Sequence, residues 1–213
     1  MDSKQTLEAH LLILAAGKSS RMGFPKGLIP FDGSFLIEAH LKNYQRAGGQ
    51  GAHLVFGRNF QEYEEKMPWL SVHSSSPIPL QLSVDWSLNT HDDLGPFSSL
   101  VLGIRDIQKN HSKPLPLFVQ PVDMPPVNQK TYSQLYRAMG KGIQACVPKK
   151  NETGGHPVLL HPSFYLPLIH IKNLSQARLD HQIKNLPSTA IQYLTTGDDA
   201  ILQNWNSPGD IPS

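Results

Sequence analysis

The stretch LLILAAGKSSRMGFPKGL, residues 11–28, decides the fold class of this chain. Its first four residues form an apolar run typical of a buried strand, and small residues and cations follow at once. The run Gly17-Lys18-Ser19 looks like the end of a phosphate-binding P-loop, but a P-loop needs a glycine five positions before the Gly-Lys pair, and Leu12 stands there. The stretch is therefore interpreted as a strand followed by a shorter loop, and the P-loop interpretation fails.

Beyond this stretch, apolar runs of strand length alternate with segments of helical spacing. Strands are predicted at residues 11–15, 52–56, 80–84, 115–120, 144–147, 157–160 and 191–194. Helices are predicted at residues 34–47, 61–66, 98–109, 129–139 and 175–184. This alternation predicts an α/β sandwich with a largely parallel sheet, in which ligands bind at the carboxyl ends of the strands.

Composition limits the classes of function. A chain of 213 residues with 39% apolar and 17% charged residues predicts one ordinary globular domain over residues 1–213. The formal charge of +2, without a run of five cations, gives no case for nucleic-acid binding. The single Cys146 indicates a reducing compartment, and the sequence has neither a signal-peptide core nor an apolar run of membrane-spanning length. A cytoplasmic protein without membrane contact is expected.

The loop after the first predicted strand carries the first candidate site. Ala15-Ala16-Gly17 allows the backbone to approach a ligand closely, and free N–H groups in such a turn can bind an anion. Arg21 offers a planar fork for phosphate oxygens, and Lys26 offers a compact charge. A solvated turn whose cations extend into water is the alternative that the residues leave open.

Three further segments carry candidate residues. In FVQPVDMPPV, residues 118–127, a strand ends in Asp123, whose carboxylate could bind Mg²⁺ or cap a turn. Ser98 and Ser99 follow Gly95-Pro96 where a helix begins, so they could contact a base edge or cap the helix. His156 follows two glycines on an otherwise apolar strand, and it is either a structural histidine or a neighbour of the site.

The stretch LAAGKSSRMGFPKGLIPFDGSFLIEAHL is similar to the signature LAAG-x-S-x-R-M-G-x-x-K-x-L of the MobA-like NTP transferase family, and the chain looks most like its molybdenum cofactor cytidylyltransferases. The resemblance implies a three-layer nucleotidyltransferase fold, Rossmann-like, with a largely parallel seven-stranded sheet. It also implies that the loop wraps the triphosphate of an NTP, with Arg21 and Lys26 as catalytic residues. The nucleotide-binding residues would then be Leu14, Ala15, Ala16 and Gly17.

The same resemblance implies that Asp123 holds the catalytic Mg²⁺ and that Ser98 and Ser99 read the base. Gly95-Pro96-Phe97 is similar to guanylyltransferases and Ser98-Ser99-Leu100 to cytidylyltransferases, while the Ala15-Ala16 pair favours CTP over GTP.

Two further strings complete the resemblance along the chain. A string similar to ETGGHPVLL, residues 152–160, lies on the acceptor side in the family, which implies that Gly155 and His156 bind the acceptor. In NWNSPGDI, residues 204–211, the family's two metal-side acids are replaced by Asn204 and Asn206. Amide oxygens can ligate Mg²⁺ without charge, so a weaker second metal contact is expected.

The implied reaction transfers a nucleoside monophosphate from an NTP to a phosphorylated acceptor, expected to be molybdopterin, and releases pyrophosphate. A molybdoenzyme or a chaperone could receive the finished cofactor. Sugar-phosphate nucleotidyl transfer is an alternative with the same chemistry. A non-catalytic nucleotide-binding regulatory protein is a third, and only Asn204 and Asn206 favour it.

Overall fold

The structure is a computed structural model of the chain and describes residues 6–71 and 82–211. The strands in these residues are β1 (Leu7–Ala15), β2 (Pro30–Phe31), β3 (Ser34–Phe35), β4 (Gly49–Phe56), β5 (Ser83–Leu88), β6 (Leu117–Pro121), β7 (Ala145–Lys150), β8 (Thr153–Gly154), β9 (Val158–Leu160) and β10 (Ile191–Thr195). The α-helices are α1 (Leu36–Arg46), α2 (Phe60–Lys66), α3 (Pro96–Asn110), α4 (Gln129–Ala138), α5 (Pro162–Tyr165) and α6 (Leu179–Lys184).

Seven strands form the main sheet in the order β10-β7-β9-β6-β1-β4-β5. All neighbours pair in parallel except β9, which is antiparallel to β6 and β7. The short β8 adds an antiparallel pair at the end of β7, and β2 and β3 form a separate hairpin. The predicted largely parallel, seven-stranded α/β fold is confirmed.

Two apolar layers cover the sheet, and the alternation along β1 shows why. Leu11 and Ile13 belong to one core cluster together with residues of α1, α2 and α4, whereas Leu12 belongs to the other with residues of α3, α5 and α6. Successive residues of a strand point to opposite faces, so an apolar run without polar residues is required when both faces are covered. The uninterrupted run at the start of the decisive stretch therefore marks a central strand.

Local signals set the beginnings of the longer helices. The Phe35 N–H donates to the Glu38 carboxylate at 3.0 Å before α1, and the Asn128 side chain accepts from the Lys130 N–H at 3.0 Å at the start of α4. Gly95, with φ 86°, lies in a conformation that favours glycine and precedes Pro96, the first residue of α3.

The predicted helix over residues 175–184 is wrong in its first part, since α6 begins only at Leu179. Ile183 is the one buried residue of α6, so apolar packing supports little more than a single turn. Part of the strand predicted over residues 80–84 lies outside the described residues, and the strand that is described there continues to Leu88. Within the described ranges, no helix has both the length and the apolar character needed to cross a bilayer.

Candidate active site

The loop that follows β1 is shaped so that it brings Lys26 to the carboxyl edge of the sheet. Ser19 has φ 49°, and its carbonyl oxygen accepts from the N–H groups of Met22 at 2.9 Å and Gly23 at 3.3 Å. The Ser19 hydroxyl oxygen accepts from the Lys26 N–H at 3.1 Å. These bonds close the loop on itself, and Lys26 begins the short 3-10 turn Lys26–Leu28.

Lys26 meets two side chains from distant parts of the chain. Its Nζ donates to Asp123 Oδ2 at 2.9 Å and to Asn206 Oδ1 at 2.7 Å. The side chains of Lys26 and Asp123 are 15% and 27% exposed, so the ion pair is partly shielded and still reachable from solvent. The predicted catalytic lysine and the predicted metal-binding aspartate are therefore direct neighbours.

The backbone around Asp123 and Asn206 is held by hydrogen bonds. Val122 N–H donates to the Leu14 carbonyl at 3.1 Å, which ties the residues after β6 to the end of β1. Trp205 N–H donates to the Asp123 carbonyl at 2.6 Å, and the buried Trp205 ring packs in a small core cluster. The C-terminal segment is thereby fixed against the end of β6.

Asp210 closes the turn that follows Asn206. Its Oδ2 accepts from the N–H groups of Asn206 and Ser207 at 2.8 Å each and from the Ser207 hydroxyl at 3.0 Å. The hydrogen bonds from Ser207 and Asn206 lower the pKa of Asp210. This carboxylate is engaged in holding the turn.

A cleft of about 360 Å³ opens at this edge of the sheet. Its charged lining residues are three cations and two carboxylates, namely Lys18, Arg21, Lys26, Asp92 and Asp123. The other lining residues are Leu14, Ala16, Gly17, Ser19, Ser20, Gly95, Pro96, Ser99, Pro121, Val122 and Asn206. With Asp123 paired to Lys26, the charge that remains in the cleft is positive, which suits a polyanionic ligand.

Ser98 and Ser99 lie at the start of α3 and share one partner. The Asn89 amide Nδ2 donates to the Ser98 hydroxyl oxygen at 2.8 Å and to that of Ser99 at 3.0 Å. Ser98 in turn donates to the Gly95 carbonyl at 2.7 Å, whereas Ser99 lines the cleft. The Ser98 hydroxyl therefore serves the start of the helix, and Ser99 is the one of the two that faces the cleft.

The predicted acceptor-side residues, Gly155 and His156, are not among the described residues that line the cleft. Gly155 is buried, and a side chain there would collide with the Ile201 carbonyl oxygen, which accepts from the His156 N–H at 3.0 Å. Burial lowers the pKa of His156, and the nearby Asp123 and Asp180 partly oppose that shift. His156 is thus close enough to Asp123 for the carboxylate to affect its pKa, but it does not line the cleft.

The two asparagines of the C-terminal segment differ in position. Asn206 lines the cleft, while Asn204 is exposed and is not among the described residues that line it. For a divalent metal, the cleft offers the Asp123 carboxylate and the Asn206 amide oxygen, which are oxygen ligands of the kind Mg²⁺ accepts. The described residues contain no group of three or more His, Cys, Asp or Glu residues that could hold a metal ion. A Mg²⁺ ion bound to Asp123 would therefore complete its coordination shell with phosphate oxygens and water.

Sequence reasoning missed Asp92 as a lining residue. Its side chain is only 4% exposed, and Oδ1 lies 3.1 Å from Nε of the exposed Arg58. Asp92 stands just before the singled-out Gly95-Pro96 turn, so its proximity to that turn was the available signal. Lys18 was also missed, although it lies within the decisive stretch.

The sequence is similar to known proteins. A family model, the MobA-like NTP transferase domain, matches residues 11–189. A molybdenum cofactor guanylyltransferase from Xanthomonas euvesicatoria pv. vesicatoria (strain 85-10) is 32% identical over 114 residues, which are 54% of this chain and 46% of that protein. The match thus spans about half of each chain.

Two solved structures show the same fold. A nucleotidyl transferase from Methanothermobacter thermautotroptrophicus superposes with a TM-score of 0.71 at 19% identity, covering 95% of this chain and 93% of that one. Rv0371C from Mycobacterium tuberculosis H37Rv, in a complex with manganese, gives a TM-score of 0.71 at 17% identity and covers 95% of each chain. Because the family model covers most of the sequence, the chain belongs to the MobA-like NTP transferase family.

Proposed function

We propose that this protein is a magnesium-dependent nucleotidyltransferase that transfers a nucleoside monophosphate from an NTP to a phosphorylated acceptor and releases pyrophosphate. The observation that carries the proposal is the Lys26–Asp123 pair, at 2.9 Å, in a cleft lined by the loop after β1. In phosphoryl transfer, negative charge grows on the phosphate oxygens in the transition state. An ammonium group beside a carboxylate that can bind a metal provides the positive charge that stabilises it.

Three of the five charged residues that line the cleft have a role in this reaction. Lys26 binds oxygens of the α-phosphate region, and Arg21 with the N–H groups of the loop at Gly17 holds the departing pyrophosphate. Asp123 would hold Mg²⁺, and the Asn206 amide oxygen lines the same cleft. When bound, the metal would neutralise phosphate charge. The attacking phosphate of the acceptor is already ionised, so the reaction needs no general base from the protein.

GTP is the donor we propose, with CTP as the second candidate. The relative from Xanthomonas euvesicatoria is named a guanylyltransferase, and Gly95-Pro96 at the start of α3 lines the cleft. The Ser98 hydroxyl, part of the basis for expecting CTP, donates to the Gly95 carbonyl. The case for CTP now depends on Ala15-Ala16 and Ser99.

Molybdopterin is the acceptor we propose, because the relative's name concerns the molybdenum cofactor. Gly155 and His156 are proposed to support the acceptor side, and Asp123 is close enough to His156 to affect its pKa. A molybdoenzyme or a chaperone that takes over the product is the partner consistent with this acceptor. The structure from Mycobacterium tuberculosis is a complex with manganese, which supports a divalent metal as the cofactor.

The test is a pyrophosphate-release assay with Mg²⁺ and molybdopterin, run in parallel with GTP, CTP, ATP and UTP. Release with GTP is expected, and release with CTP alone would replace the proposed donor. Release with a sugar phosphate in place of molybdopterin would identify the alternative acceptor class. Nucleotide binding without turnover on either acceptor would contradict the proposed enzyme and favour the regulatory protein.

A further inference from the structure

Hydrogen bonds to the backbone around Asn206 hold its side chain toward the ammonium group of Lys26. Asn206 N–H donates to Asp210 Oδ2 at 2.8 Å, and the preceding Trp205 N–H donates to the Asp123 carbonyl at 2.6 Å. Between these two anchors, the Asn206 amide oxygen accepts from Lys26 Nζ at 2.7 Å. This distance is shorter than the 2.9 Å from Lys26 Nζ to Asp123 Oδ2.

Two acceptors restrict the Lys26 ammonium group before any ligand arrives. A lysine side chain loses rotamer freedom when it is fixed, so a lysine that is fixed in advance removes that entropy cost from substrate binding. The amide is neutral, so among the described residues the only formal negative charge that touches the ammonium is that of Asp123. A second carboxylate would compete with phosphate for the same cation, and an amide holds Lys26 without adding that competition.

We propose that Asn206 is a positioning residue that acts through Lys26, holding its ammonium group for the phosphates, and is not a ligand of the divalent metal. The inference rests on the proposed function, and it reassigns a residue that the sequence resemblance placed on the metal. Under this assignment Asp123 is the sole protein side chain proposed to hold the metal. The effect of Asn206 must then depend on the presence of Lys26.

The experiment is a double-mutant cycle with Asn206→Ala, Lys26→Met and the double variant in the full chain. Two quantities are measured for each: kcat of pyrophosphate release, and Mn²⁺ binding to the protein saturated with a non-hydrolysable analogue of the donor NTP. Gln203→Ala, which removes an exposed amide three residues away, is the matched control. Thermal unfolding of each variant checks that the fold is kept.

With Lys26 present, Asn206→Ala is expected to lower kcat about tenfold, the size of one lost hydrogen bond to a charged group. In the Lys26→Met background the same change should alter kcat by less than about twofold, because the group it positions is gone. The Mn²⁺ dissociation constant should stay within about twofold in both backgrounds. Asn206→Leu, similar in size but without an acceptor, must reproduce Asn206→Ala. Asn206→Asp keeps an oxygen acceptor but adds a carboxylate that competes with phosphate for Lys26, so its kcat should stay below that of the wild type.

Weaker Mn²⁺ binding by the same factor in both backgrounds would make Asn206 a metal ligand and overturn the inference. Independent, multiplying losses of kcat would overturn it as well, because they would show an action that does not pass through Lys26. Wild-type protein that releases no pyrophosphate and binds no Mn²⁺ with any NTP would instead contradict the proposed function itself. The two failures are therefore distinguishable.

Discussion

Two hydrogen-bonded networks begin at the same strand, β6, and have different functions. Gln120, inside β6, is fully buried; its Nε2 lies 2.8 Å from His40 Nδ1, and its Oε1 accepts from the Tyr132 hydroxyl at 2.6 Å. Asp123, three residues later, lies at the cleft and is held by Lys26, which also contacts Asn206. We call the buried group of Gln120, His40 and Tyr132 the sealed network. The group of Asp123, Lys26 and Asn206 at the cleft is the open network.

The difference between them is charge and access to solvent. In the sealed network burial lowers the pKa of His40 to about 4 and raises that of Tyr132, so both groups stay neutral and connect α1 and α4 to the sheet. In the open network an ammonium and a carboxylate remain partly exposed. A neutral buried network stabilises the fold, whereas a charged accessible one can exchange its internal partners for a ligand.

The largest expected effect is on the open network. Asp123→Asn should lower the rate of pyrophosphate release by about two orders of magnitude or more, because the proposed metal loses its charged ligand. The measurement is kcat with saturating Mg²⁺, and Asp93→Asn, at an exposed carboxylate beside Asp92, is the control. An unchanged rate would show that Asp123 takes no part in the reaction and that the open network is not catalytic.

Lys26→Met should lower kcat about 10- to 100-fold, as expected for the loss of a charged hydrogen bond to phosphate. Thermal unfolding should change little, because the pair with Asp123 is partly solvated. Lys66→Met, at an exposed residue of α2, is the matched control for the loss of a lysine charge. A large loss of stability with intact kcat would mean that the open network is structural after all.

The sealed network should respond in the opposite way. Tyr132→Phe removes the donor to Gln120 Oε1 and leaves a buried acceptor without that bond, so the free energy of unfolding should fall by about 1–2 kcal/mol. The value of kcat should stay within about twofold. Denaturant unfolding measures the first quantity, and Tyr193→Phe, at a tyrosine that is 45% exposed, is the control. A loss of turnover without a loss of stability would show that the sealed network takes part in the reaction and does not merely stabilise the fold.

The last prediction concerns the dependence of stability on pH. His40 has a folded-state pKa of about 4 against 6.5 ordinarily, so between these values the unfolded chain binds more protons than the folded one. The free energy of unfolding should therefore fall as the pH falls from 6.5 to 4, by up to about 1.4 kcal/mol per pH unit for this group.

His40→Gln should make that pH dependence shallower by the same amount, measured by denaturant unfolding at pH 5 and pH 7. His10, whose pKa burial also lowers to about 4, adds a slope of the same sign in the wild type and in the variant. The comparison of the two proteins therefore isolates His40. Equal slopes would show that His40 does not titrate as a sealed group.

Much of the site could be predicted because its residues follow strands. Asp123 comes just after a buried apolar strand, and Lys26 ends a loop that leaves another, so both were expected at the carboxyl edge of the sheet. The short length of α6 could not be predicted, because it depends on how little of that segment is buried. The sequence left open whether Ser98 contacts a base or caps the helix, and only the fold shows that its hydroxyl is engaged by Asn89 and Gly95.

By itself the sequence determined the α/β class, the central position of β1 and the set of cations that its loop carries, because periodicity and glycine placement are local properties. The tertiary structure alone decided that Lys26 meets Asp123, 97 residues away, and Asn206, 180 residues away. Contacts of that span depend on the order of strands in the sheet and on the burial of Trp205, which no local pattern encodes. For that reason the sequence could supply Asn206 as a candidate, and only the fold could show that its amide oxygen faces the lysine.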